Sequence, residues 1–423
     1  MNKTNNASYT SWITVPAGHD FPIQNLPYGI IKTAAKARVA SRIGDNTIDM
    51  LALFELGYLS DIKGITRDIF DSPYLNDFIA SEKEITRAIR QSMFDLFESS
   101  NSRLRENPIH RDKILIPIDK VEMLLPVKIG DYTDFYSSIE HATNVGMMFR
   151  DPENALFPNW KHLPVGYHGR SSSIVVSGTN IHRPKGQIKP NDAEKPVFSA
   201  SRLLDFELEM AFITSKGNPL GEPIPIEKTE DYIFGMVLFN DLSARDIQKW
   251  EYVPLGPFLG KNFGSVISPW VVTMDALEPF RTNGPKQEPE VLPYLKSEGA
   301  RNYDINLEVF LQPESKEPFK LCHSNFKYMY WNMNQQLAHQ TVNGCNVNVG
   351  DMYASGTISG PTPDSYGSML ELSWQGTKTI IAPDGTERKF IADNDTVIIK
   401  GYAEKNDLRI GFGEAVTKIL PAK

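Results

Sequence analysis

Between residues 204 and 212 the chain alternates without a break: Leu204, Phe206, Leu208, Met210 and Phe212 interleave with Asp205, Glu207 and Glu209. A period of two puts the apolar set on one face of a strand and three carboxylates on the other. Like charges two residues apart lie roughly 7 Å from each other and repel. Such a face is stable either as a solvated acidic edge or with a cation between the carboxylates. Asp241 closes a second apolar run, 233–239, just before a helix-like stretch at 243–248. There it serves either as a ligand or catalytic group at a strand mouth, or as a helix N-cap. Asp131 and Asp134 stand among aromatics in a turn-prone segment, which reads as a pocket rim or as a loop with Asx-turns. An oxygen-only set of Asp134, Glu207, Glu209 and Asp241 suits Ca²⁺ or Mg²⁺ and not zinc.

The rest of the chain frames that segment. Its 423 residues carry a net charge of −8, which argues against a general nucleic-acid binder. No run of about 18 apolar residues and no apolar leader occurs, so neither a membrane span nor a signal peptide is expected. Two cysteines, Cys322 and Cys345, fit a reducing cytosol. With 29 glycines and 29 prolines, a β-rich fold with long loops is expected. The first 120 or so residues form one unit. Residues 36–53 alternate around Gly44-Asp45-Asn46 and predict a hairpin. Ser81 and Glu84 fit a capping box before Ile85, Ile89, Met93, Leu96 and Phe97, whose spacing predicts an amphipathic helix. Thereafter strand-like runs dominate, at 173–177, 203–214, 233–239, 270–273, 305–311, 369–374 and 395–402. The polar, proline-rich stretch 282–293 reads as an exposed insertion.

Among the bases, His141 lies seven residues after Asp134 and could serve as a general base; a surface or structural role is the plainer reading. His162 and His168 are a second possibility. Glu371 has apolar neighbours and should be buried, so it needs a partner, either a histidine to orient or a structural arginine. The segment 256–264 resembles a phosphate-binding loop but has too few residues between its glycines, and Asn262 replaces the metal-binding hydroxyl. Lys261, between glycines, could still face an anion. No HExxH or GxSxG pattern occurs.

Ordered blocks carry a family resemblance. They are GDYTDFYSS at 130–138, HATNVG at 141–146, LPVGYHGR at 163–170, DFELE at 205–209, FNDLSARDIQ at 239–248, GKNFG at 260–264, ASGTISG at 354–360 and GSMLELSW at 367–374. Together they resemble the fumarylacetoacetate hydrolase family, from residue 21 to residue 413. The resemblance implies a mostly β (α+β) chain, with a small SH3-like barrel over 1–120 and a large mixed β-roll catalytic domain over 121–423. It implies a cytoplasmic homodimer that hydrolyses a carbon–carbon bond of 4-fumarylacetoacetate to fumarate and acetoacetate, the last step of tyrosine and phenylalanine breakdown. Asp134, Glu207, Glu209 and Asp241 match its Ca²⁺ ligands. Asp241, Lys261 and Ser265 match its Mg²⁺ site, where Lys261 must offer its backbone carbonyl because an ammonium cannot ligate. His141 matches the general base, oriented by Glu371; Arg245, Gln248 and Lys261 fit oxyanion stabilisation. Tyr136, Arg150, Tyr167, Gln248, Tyr252 and Thr357 match substrate contacts. Two residues depart from the pattern: Ser265 stands where the family usually has Thr, and Glu140 adds a carboxylate beside His141. A fumarylpyruvate-type hydrolase or oxaloacetate decarboxylase is the alternative within the superfamily, and a non-catalytic calcium-binding or scaffold protein the alternative outside it.

Overall fold

The computed structural model describes residues 3–33 and 36–423. The chain is a strand-rich α+β protein. Its N-terminal unit holds a five-stranded antiparallel sheet of β1 (Tyr28–Lys32), β2 (Ala37–Ile43), β3 (Asn46–Asp49), β4 (Leu115–Pro117) and β5 (Glu122–Leu124), in the order β4-β3-β2-β1-β5. The hairpin is present: Ile43 pairs with Asn46, leaving Gly44 (φ +54°) and Asp45 as the turn. The alternation does not run on to Leu53 as expected. The Asp49 side chain accepts from Ala52 N at 3.1 Å and starts helix α1 (Met50–Glu55). Helix α2 (Lys83–Phe97) buries Ile89, Met93, Leu96 and Phe97. Its predicted capping box is absent. Glu82 is the N-cap, and the Ser81 hydroxyl instead donates to Asp77 O in the preceding turn.

The second sheet holds the site. Among the described residues it has eight strands: β6 (Tyr132–Phe135), β7 (Gly166–His168), β8 (Ile174–Val176), β9 (Leu208–Thr214), β10 (Ile233–Asp241), β11 (Ser265–Ile267), β12 (Val272–Thr273) and β13 (Met352–Ala354). Their order is β7-β6-β13-β9-β10-β11-β8, with β12 also on β10. Here β6 pairs parallel to β13 (Asp134 opposite Ala354), and β9 pairs antiparallel to β10 (Glu209 opposite Phe239).

Both faces of this sheet are covered. Leu208, Met210, Phe212, Met236 and Leu238 pack with Leu307, Val309, Val397, Ile399 and Ile410 of a third, five-stranded sheet, whose longest strands are Thr396–Lys405 and Leu408–Leu420. The intervening residues Ala211, Ile213, Val237 and Phe239 face the other way, into one core with Ile30, Phe78 and Phe94 of the N-terminal unit. Strands buried on both sides read as continuous apolar runs, which is why residues 233–239 lack alternation. Each large side chain so buried contributes about 1.5–3 kcal/mol.

Two expected strands need correction. Residues 203–214 are not one strand. Leu204–Asp205 pairs with Ser243–Ala244, the ladder breaks at Phe206 and Glu207, and β9 begins at Leu208. Residues 369–374 contain a helix, α5 (Met369–Leu372), not a strand. Asp205 accepts from Met369 N at 2.6 Å and Leu370 N at 3.1 Å, and Ser368 Oγ accepts from Glu371 N, so the first turn is capped by side chains.

Candidate metal and catalytic site

The strand ends bring four carboxylates together. Asp134 comes from β6, Glu207 from the break before β9, Glu209 from β9 and Asp241 from the last residue of β10. One oxygen from each lies within 4.8 Å of the others, and all four residues are buried. Asp131, by contrast, is exposed, and Asp134 lies on a strand, not in an Asx-turn. Asp241 caps no helix; Ala244 is the N-cap of helix α4 (Arg245–Glu251). Asp205 turns away to Arg245 Nε (2.8 Å) and the start of α5, so only two of the three alternating acids belong to the cluster.

Two cations answer these charges. Lys261 Nζ sits 2.5 Å from Glu207 Oε2 and 2.6 Å from Asp241 Oδ2. Arg245 Nη2 lies 2.7 Å from Glu207 Oε1, a buried ion pair. Ser265 Oγ donates to Asp241 Oδ1 at 2.7 Å, and Tyr167 OH donates to Asp241 Oδ2 at 3.3 Å. Four carboxylates face Lys261 and an Arg245 that is shared with buried Asp205, so negative charge is left unmet. Asp134 Oδ1 and Glu209 Oε1 have no hydrogen-bond partner despite full burial, and burial together with mutual repulsion raises both carboxyls well above their ordinary range. Burial pushes Glu207 up as well, but Lys261 and Arg245 outweigh it and hold that carboxyl low. An all-oxygen donor set with orphaned oxygens and unmet negative charge fits a hard divalent cation.

Beside the cluster, helix α3 (Ile139–Phe149) presents His141, 3% exposed. Its Nδ1 is 2.7 Å from Glu371 Oε2, which answers the question of Glu371's partner in favour of histidine. Burial raises the Glu371 carboxyl, but His141 and hydrogen bonds from Asn144 and Ser359 lower it further, so it stays below the ordinary value. His141 is close enough to Glu207 for its charge to lower that carboxyl too. The Tyr136 ring meets the imidazole edge-on at 5.1 Å between centroids. Glu140 faces Ser138 Oγ at 3.5 Å and makes no bond to His141. His162 and His168 are exposed.

Gly356 closes the cluster from the segment just after β13. Its N–H donates to Glu209 Oε2 at 3.0 Å, with φ +77° and Phe135 O so near that a Cβ would stand 2.2 Å from it. Next to it Thr357 is buried with its Oγ1 unpartnered. Gln248 joins Arg245 through Oε1 (3.2 Å). Arg150 Nε donates to Ala155 O at 3.2 Å with its guanidinium 4.0 Å over Phe157, and Tyr252 is exposed at the end of the Arg245 helix, so neither touches the carboxylates. Asn144, Ser359 and Ser368, which bond Glu371, carry no periodicity or charge signature that would single them out in the sequence.

Two family models match the chain: "Fumarylacetoacetate (FAA) hydrolase C-terminal" over residues 132–419 and "Fumarylacetoacetase N-terminal" over residues 24–126. The human fumarylacetoacetase is 54% identical over 415 residues, covering 97% of this chain and 99% of its own. That of Dictyostelium discoideum is 55% identical, covering 97% and 98%, and that of Arabidopsis thaliana 49%, covering 97% and 98%. A solved fumarylacetoacetate hydrolase from Exiguobacterium antarcticum shares the fold at a TM-score of 0.54 and 16% identity, over 94% of this chain and 100% of its own.

Proposed function

This chain belongs to the fumarylacetoacetate hydrolase family, and we propose that it hydrolyses 4-fumarylacetoacetate to fumarate and acetoacetate, the last step of tyrosine and phenylalanine breakdown. The observation that carries this reading is a buried histidine–glutamate pair beside a buried four-carboxylate cluster, with Arg245 and Lys261 paired to that cluster.

In this reading Nδ1 of His141 holds its proton toward Glu371, and Nε2 takes a proton from water. The hydroxide adds to the carbonyl carbon of the fumaryl group. The positive charges of Arg245 and Lys261, with the Gln248 amide, offset charge on the tetrahedral oxygen. The C–C bond then breaks with its electron pair leaving on acetoacetate, whose carbon takes the proton back from His141. Tyr136, Arg150, Tyr167, Gln248, Tyr252 and Thr357 hold the substrate; the orphaned Thr357 hydroxyl supports this assignment. A divalent cation, Ca²⁺ on Asp134, Glu207, Glu209 and Asp241, would supply Lewis-acid stabilisation of the enolate oxygen. For Mg²⁺ at Asp241, Lys261 and Ser265, Lys261 has only its carbonyl to offer, because its amine is engaged with carboxylates.

The same proposal takes residues 1–120 as an SH3-like barrel, supported by its four short antiparallel strands β1–β4, with β5 completing their sheet just beyond, and residues 121–423 as a β-roll catalytic unit. It takes the molecule as a cytoplasmic homodimer. The apolar surface at Phe198, Trp250, Val253, Leu255 and Phe258 supports a second copy, and free Cys322 and Cys345 support a reducing compartment. Purified protein incubated with fumarylacetoacetate should show loss of substrate absorbance that stops with chelator and returns with Ca²⁺ or Mg²⁺. It should be inactive as His141→Ala with its fold intact. Turnover of acylpyruvates in preference to acylacetoacetates, or near-normal activity of His141→Ala, would overturn the reading.

A further inference from the structure

Glu371 is 1% exposed and is held by four groups from three places in the chain. Its Oε2 faces His141 Nδ1 at 2.7 Å and accepts from Ser359 Oγ and Ser368 Oγ, both at 2.9 Å; its Oε1 accepts from Asn144 Nδ2 at 2.9 Å. Ser368 is explained locally, because it also caps α5 by accepting from Glu371 N. Ser359 Oγ also accepts from Gly367 N at 3.0 Å, which leaves its hydroxyl proton for Glu371; Asn144 takes no part in capping α5. Asn144 follows His141 by three residues on α3, so amide and imidazole share one helix face and reach one carboxylate together. Ser359 lies in the segment that carries Gly356 and Thr357. That segment is tied to α3 through the N-cap Ser138, whose Oγ accepts from His141 N at 3.2 Å and donates to Ser359 O at 3.0 Å.

We propose that Asn144 and Ser359 are positioning residues for the His141–Glu371 pair. They fix the plane of the carboxylate and hold it as an acceptor, so that the imidazole keeps its proton on Nδ1 and leaves Nε2 free to take one from water. The inference rests on the reading of His141 as the base. All the bonds from Asn144 and Ser359 are neutral donors to an anion. They favour the charged carboxylate without adding a competing positive charge. Without them a buried oxygen is left unpaired, and the carboxyl is driven toward its protonated form. A protonated Glu371 would donate to Nδ1, place the imidazole proton on Nε2 and leave no acceptor for water. The other titratable groups whose charges act together with that of Glu371 are Tyr136, Glu140, Cys322 and Tyr366.

Ser359→Ala and the isosteric Asn144→Asp are the test, compared by steady-state kinetics across pH. Each should lower kcat by about 10–100-fold, as loss of a supporting hydrogen bond does elsewhere, with KM within about twofold. The acidic limb of the kcat profile should move to higher pH, further for Asn144→Asp, which sets a second carboxyl against the first. Ser359→Thr, which keeps the hydroxyl, should restore most of kcat. Asn144→Asp adds no bulk and Ser359→Ala removes one atom, so at least one variant should fold, and circular dichroism with bound-metal content verifies it. A folded, metal-loaded variant with unchanged kcat and an unmoved acidic limb overturns the inference, as does Ser359→Thr behaving like Ser359→Ala. Activity surviving in His141→Ala would instead remove the underlying reading, which separates the two failures.

Discussion

Replacing Gly356 by alanine should cost far more than an ordinary glycine-to-alanine change, and should be felt at the carboxylates. Two separable penalties apply. The first is conformational: at φ +77° an L-residue with a Cβ pays roughly 1–2 kcal/mol. The second is steric. The added Cβ would lie 2.2 Å from Phe135 O, 2.8 Å from its carbonyl carbon and 2.9 Å from Tyr136 Cα. Relief needs a backbone shift of about 1 Å in a close-packed interior, an overpacking cost of about 1–3 kcal/mol. Gly385 provides the internal control, because it has φ +84° but open space around its Cβ position. Gly385→Ala should therefore lose only the first penalty, and Gly356→Ala both. Urea unfolding of the two variants in chelator would measure the difference, expected at about 1–3 kcal/mol. The shift is also directional. Phe135 follows Asp134, and Gly356 N–H holds Glu209 Oε2, so displacing one from the other should weaken Ca²⁺ binding by calorimetry at least about tenfold, whereas Gly385→Ala should leave it unchanged. Equal stability loss in the two variants, with equal Ca²⁺ affinity, would refute the reasoning that this close approach sets the cage.

Other expected outcomes follow from the charges. Lys261→Met removes one of the two cations facing four buried carboxylates; the metal-free protein should lose about 3–5 kcal/mol by denaturant unfolding at pH 7.5, and Ca²⁺ should restore more stability to it than to the parent. Glu371 has a lowered carboxyl pKa in the folded state, so its charge contributes stability that is fully present above the ordinary carboxyl value and is lost as pH falls through the lowered one. The stability gap between the parent and Glu371→Gln should therefore shrink below about pH 4.3, read as urea midpoints from pH 7 to pH 3; a gap that widens on acidification would contradict that sign. Chelation should lower the thermal midpoint of the parent but not of an Asp134→Asn, Glu209→Gln double variant, whose orphaned oxygens no longer demand a cation.

Much of the site was legible because charge and period are strong signals. A carboxylate next to its apolar neighbours is conspicuous, so Glu207, Glu209, Asp241 and Glu371 stood out by pattern. The period misled at Asp205, because alternation says which side a residue faces only while the strand continues, and the ladder breaks at Phe206 and Glu207. It misled again at residues 369–374, where a short apolar run was decided by capping side chains from residue 205, far away in sequence. The Lys261 amine reaches Glu207 and Asp241 across 54 and 20 residues, a pairing no local window contains. Asn144 and Ser359 lie inside the blocks HATNVG and ASGTISG but did not stand out there, because neutral polar residues are common and only their shared partner distinguishes them.

The face of the second sheet that packs on the N-terminal unit is also the face from which Asp134, Glu209 and Asp241 project. Along β10, Val237 and Phe239 lie under the N-terminal unit and Asp241 emerges beyond it; along β9, Ile213 and Ala211 lie beneath and Glu209 emerges. One series of alternate residues thus changes from wall to ligand with depth. The N-terminal unit is therefore a cover that these strands need: without it Ala211, Ile213, Val237 and Phe239 would face water. Lesions deep in that cover, at Phe78 or Phe94, should announce themselves first as protein that sheds its metal, long before it visibly unfolds.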